Sequence, residues 1–125
     1  MKTEHQVGKY RLGFKWVRLV ADTNSSGGRV ILLPEDKGSP VVYVGIQGPW
    51  VLSVTTLLHE LYEAALIDLN TRFEMNPSLS SESSEYLFVV THNQLDEAHE
   101  KVGRMLIQAL PDLFKAHKKY STYKE

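Results

Sequence analysis

The stretch TLLHELYEAAL, residues 56–66, carries the residues on which both fold and chemistry turn. Its apolar side chains recur at three- and four-residue spacing, which predicts an amphipathic helix. The period extends from Ser53, a residue type suited to an N-cap, to Phe73. Val54, Leu58, Leu61, Ala65 and Leu69 form the expected core stripe. Most of the helix girth is apolar, so it should be well buried. The exception is a narrow polar stripe of Thr56, His59, Glu60, Glu63 and Asn70, which must face water or line a cleft.

His59 and Glu63 are four residues apart and point the same way. An imidazole and a carboxylate on adjacent turns can hold one cation. Glu60 between them is then a general base, as in H-E-x-x-H, although this chain reads H-E-x-x-E. The plainer alternative is a solvated helix side with His59 at its rim. A third ligand would come from a later helix with the apolar face Leu95, Ala98, Val102, Leu106, Ala109 and Leu113. His99 falls toward the edge of that face, where it is either a ligand or a core-edge histidine. His92, at the strand–helix junction, is the rival ligand or else a capping residue.

Working outward, KYRLGFKWVRLVA (9–21) alternates in two phases, with a slip between Trp16 and Val17 that suggests a bulge or tight bend. RVILLP (29–34) and VVYVGI (41–46) read as further strands, with turns at DTNSSGG (22–28) and EDKGSP (35–40). Together they predict a three-stranded antiparallel meander. Residues 74–85 are serine-rich and read as a mobile connection, and YLFVVT (86–91) reads as a fourth strand. A second helix, capped at Asn93, runs to Lys118 or Lys119 with a kink at Pro111. The predicted order is β-β-β-α-β-α, an α+β fold with two long helices on one sheet.

The chain has 125 residues, 42% hydrophobic and 23% charged, as expected of one globular domain spanning 1–125. Without cysteine it has no thiolate ligand or nucleophile, and it suits the cytoplasm. The polar N-terminus lacks a signal-peptide core, and no apolar run is long enough to span a membrane. A net charge of −1 gives no global field toward nucleic acid, which is not an expected partner. Lysines and tyrosines do interleave near the C-terminus, but 119–125 reads as a frayed basic tail. No Gly-x-Ser-x-Gly frame or phosphate-binding loop occurs. Trp16, Trp50 and Phe73 read as core or core-edge aromatics.

TLLHELYEAAL, preceded by strands and followed by HEKVGRMLIQAL on a later helix, resembles the small zincin-like metallopeptidase-type proteins of bacteriophage genomes. The resemblance covers roughly residues 41–114 and implies a zincin-like fold. It also implies zinc bound by His59, Glu63 and His99, with Glu60 as catalytic base. Glu63 in place of a second histidine adds negative charge, which makes the metal a poorer Lewis acid. The implied function is a metal-dependent hydrolase of peptidase type. The alternative is a catalytically inactive inhibitor or adaptor that binds a host protein in the host cytoplasm.

Overall fold

The computed structural model describes residues 2–31, 39–69, 72–74 and 86–123, with 72–74 and 86–87 described by backbone only. Strands β1 (Glu4–Leu12) and β2 (Lys15–Asp22) form a hairpin in which Leu12 opposes Lys15. Gly13 and Phe14 make its two-residue turn. Gly13 takes φ +67°, a left-handed conformation open to glycine at little cost. The expected slip at Trp16/Val17 is this reversal, displaced by three residues. Tyr10 and Leu12 on one strand share a face with Val17, Leu19 and Ala21 on the other, so two phases in sequence become one face in space. The ladder's own register shift lies at Gln6/Gly8.

Strand β3 (Gly28–Ile31) pairs antiparallel with β4 (Val41–Gly45), and β4 pairs parallel with β2. The sheet order is therefore β1-β2-β4-β3, mixed, and corrects the expected meander. The physical reason lies in the side chains. Val41, Val42 and Val44 are buried and suit a central strand, whereas Gly28, Arg29 and Ile31 are exposed and suit an edge. Residues 32–38, including most of the expected EDKGSP turn, lie outside the described residues.

Helix α1 spans Trp50–Asp68, starting earlier and ending sooner than the sequence period suggests. Pro49 is its N-cap residue. Ser53 is buried within the first turns, and its hydroxyl donates to the Gly45 carbonyl at 2.9 Å, fixing the helix to the end of β4. The buried residues of α1 are Ser53, Leu57, Glu60, Leu61, Ala64 and Ala65. The inward stripe is thus rotated from the expected one, as an almost uniformly apolar girth allows.

Residues beyond α1 form two short strands, β5 (Arg72–Glu74) and β6 (Tyr86–Phe88), which among the described residues pair only with each other. The expected fourth strand at 86–91 is thus shorter and outside the main sheet; Val89 and Val90 are exposed. Except for Glu74, the serine-rich connection lies outside the described residues. Helix α2 spans His92–Tyr120. Its cap is Thr91 rather than Asn93, because Thr91 and Gln94 bond reciprocally, side chain to backbone, at 3.1 and 2.9 Å. The helix continues through the exposed Pro111.

Leu57, Leu61, Ala64 and Ala65 of α1 join Ala98, Val102, Met105, Ala109 and Leu113 of α2 over one face of the sheet. The result is a mixed four-stranded sheet carrying two long helices, consistent with a zincin-like α+β fold. No helix among the described residues is long and apolar enough to cross a membrane.

Candidate metal centre

The H-E-x-x-E segment lies in the middle of α1. His59, Glu60 and Glu63 each offer a donor atom, and the three atoms lie within 4.8 Å of one another. Two donors about 2.1 Å from one ion in tetrahedral geometry are about 3.4 Å apart. The His59 Nε2 to Glu63 Oε2 distance is 3.4 Å, so this pair fits one cation as it stands. Glu60 completes the group only by closing on that pair. One imidazole and two carboxylates form a donor set suited to a divalent ion of zinc or manganese type.

The three residues sit in unlike surroundings. The His59 side chain is 72% exposed and open to solvent. Glu63 is half-buried. Glu60 is buried, because α1 turns it toward edge strand β3. Gly28 makes that approach feasible: a Cβ there would lie 3.2 Å from Glu60 Cγ and 2.6 Å from Thr56 Cγ2. Burial pushes the Glu60 carboxyl up from its ordinary pKa, the charge of Glu63 adds to the rise, and His59 opposes it. Glu60 is therefore a better proton acceptor than an exposed glutamate.

His99 approaches α1 but meets Tyr62, whose hydroxyl is hydrogen-bonded to its Nδ1, with the rings edge to face at 5.4 Å. It lies outside the group of three. His92 begins α2, exposed, with its Nε2 3.3 Å from Asp96. Neither histidine is gathered with His59 and Glu63. Sequence reasoning did not single out Gly28 or Tyr62. Gly28 is hidden in a glycine–serine turn, and Tyr62 reads as one more apolar position of the helix.

No protein-family model, curated protein or solved structure matches the chain. An H-E-x-x-E triad of zincin type, His59, Glu60 and Glu63, nevertheless stands on a helix packed against a sheet edge. It forms a cluster able to coordinate a divalent metal.

Proposed function

We propose that this protein is a metal-dependent hydrolase of zincin-like type, with peptides as substrate and zinc as its ion. His59 and Glu63 are the metal ligands and Glu60 is the general base. The reading rests on one observation: an imidazole and a carboxylate spaced for one cation, with a buried, proton-avid carboxyl one residue away. A bound divalent ion would supply a Lewis acid for polarising a scissile carbonyl and acidifying water. Glu60 takes the proton of the attacking water on its carboxylate oxygen and passes it to the leaving amine. Strand β3 supports a peptide substrate, since it is an edge of the sheet beside Glu60, where an extended chain can pair. His99 lies outside the group of three, and Tyr62 engages only its Nδ1, so it would enter the ligand set through Nε2 and only by moving toward that group. Phage origin and action in a host cytoplasm are what the resemblance implies.

Elemental mass spectrometry of untagged protein beside Glu63→Ala tests the ligand set. The expected result is about one zinc per chain, lost in the variant. His99→Ala retaining its metal would remove His99 from the set. Glu60→Gln should keep the metal and abolish cleavage of quenched peptide substrates. No metal after dialysis against zinc would overturn the reading.

A second reading, a non-catalytic adaptor for a host protein, is favoured by a different feature. Phe14 is 92% and Ile107 78% exposed, and both line a groove of about 590 Å³ with Arg11, Glu97 and Lys101. Large apolar side chains left in water beside a groove suit a protein partner. Host-protein capture that survives Glu63→Ala and fails with Phe14→Ser would establish it.

A further inference from the structure

The sheet face turned away from both helices carries a second constellation. Alternation along the paired strands places Lys9 and Arg11 of β1, Trp16 and Arg18 of β2, Tyr43 of β4 and Arg29 of β3 on that one face. Arg11 lies 4.8 Å and Lys9 5.7 Å from the Trp16 ring centroid, yet Trp16 remains 45% exposed. Arg29 stacks over Tyr43 at 3.9 Å. Val20 and Val41 lie on the same face between the two aromatic positions and are buried.

The charge on this face is lopsided. Among the described residues, the acids on this face, Glu4 and Asp22, oppose each other at the far end of the β1–β2 ladder, and Glu4 is 3.8 Å from Arg29. Neither Lys9 nor Arg11 has an ion-pair partner among the described residues, although Arg11, on the edge strand, also lines the groove that carries Glu97 and Glu100 of α2. A near-neutral chain thus concentrates positive charge around an exposed indole. Cross-strand cation–π pairs alone would stabilise the hairpin. They do not require the ring to stay open to solvent, nor four cations on one face.

We propose that this face binds single-stranded nucleic acid. Lys9 and Arg11 take the phosphates, while the exposed part of the Trp16 ring stacks on a base. The Arg29–Tyr43 pair offers a second stacking plane. Four residues along β2 and one strand across separate the two platforms by about 14 Å, which calls for an extended strand rather than a stacked duplex. The face lies across the sheet from His59, Glu60 and Glu63, so the inference is independent of the metal reading.

The test is fluorescence anisotropy of the full chain with a labelled oligothymidylate of about twelve nucleotides, in chelator, at about 50 and 200 mM salt. Binding is expected in the micromolar range, roughly 1–100 µM, at the lower salt. Trp16→Ala should weaken it by about fivefold or more. Lys9→Ser and Arg11→Ser should each reduce the salt slope by about one. All three side chains are exposed, so each variant should fold, which circular dichroism is to check. Lys118→Ser/Lys119→Ser in the last turn of α2 should change nothing. The proposal is overturned by absence of binding at the lower salt or by loss of binding in that α2 variant. It is equally overturned if Trp16→Ala binds normally and heparin competes fully, the behaviour of a simple polyanion surface.

Discussion

Replacing Gly28 by alanine probes the seam that shapes the metal centre. The added Cβ would stand 2.6 Å from Thr56 Cγ2 and 2.8 Å from the Tyr43 carbonyl oxygen. Carbon atoms rest at roughly 3.5–4.0 Å, so the first contact is short by about 1 Å. Thr56 is β-branched and held to few rotamers in a helix, while the carbonyl belongs to central strand β4. Neither yields easily, so β3 must part from α1. Such overpacking costs roughly 1–3 kcal/mol, offset by roughly 0.4–1 kcal/mol from a less flexible unfolded chain. The expected net loss is about 1–2 kcal/mol, read as a lower urea midpoint by circular dichroism with an unchanged slope. Thr56→Ser removes the methyl group in the worst contact, so the double variant should recover about 1 kcal/mol relative to the sum of the singles. Strict additivity, or a Gly28→Ala protein more stable than wild type, would refute the packing of β3 on α1 and with it the burial of Glu60.

Three further outcomes follow from single contacts. Glu60 has a folded pKa above its ordinary value of 4.5, so the folded state holds its proton longer. In chelator, wild-type stability should fall as pH rises from that value through the folded pKa, and Glu60→Gln should flatten the dependence; parallel urea-midpoint curves across pH would contradict it. The Tyr10 hydroxyl donates to Asp112 Oδ2 at 2.6 Å, tying β1 to α2, and burial with this carboxylate raises its pKa. Tyr10→Phe should cost about 1.5 kcal/mol, while the wild-type protein should lose stability above the usual tyrosine range as the unfolded phenol ionises; a loss below about 0.5 kcal/mol would show the bond to be idle. Ser53→Ala leaves the Gly45 carbonyl without its buried donor and should cost about 1–2 kcal/mol in chemical denaturation, an unchanged midpoint counting against the anchor.

The elements most legible in sequence were those whose identity rests on local periodicity. Both long helices and the central strand VVYVG announced themselves because a buried stripe or run repeats within a few residues. Strand neighbours did not. The parallel pairing of β2 with β4 depends on how the chain returns after β3, and an apolar run carries no record of which strand it lies beside. The α1 boundary failed for a related reason. Ser53 has the chemistry of a cap, but its hydroxyl serves the Gly45 carbonyl, a partner eight residues away on another element. At β1, EHQVG escaped notice because an edge strand in water need not alternate cleanly.

The site divides along the same line. The His59–Glu63 pairing follows from helix spacing alone, and the structure returns it at 3.4 Å. The burial of Glu60 does not follow, since a position beside two polar residues of the same stripe reads as part of it. Only the missing side chain at Gly28, thirty-odd residues earlier and on another element, lets the helix turn that carboxyl inward. His99 shows the converse. Its place on α2 aimed it at α1, but there its Nδ1 meets Tyr62 and the residue lies outside the group of three. The basic face escaped for a subtler reason: its residues belong to strands whose hydrophobic alternation draws attention to the opposite phase. Lys9, Arg11 and Trp16 are the leftovers of that pattern, and hairpin register alone makes them neighbours. The chemistry of this chain is thus encoded mainly in contacts between elements, which a one-dimensional period can frame but not specify.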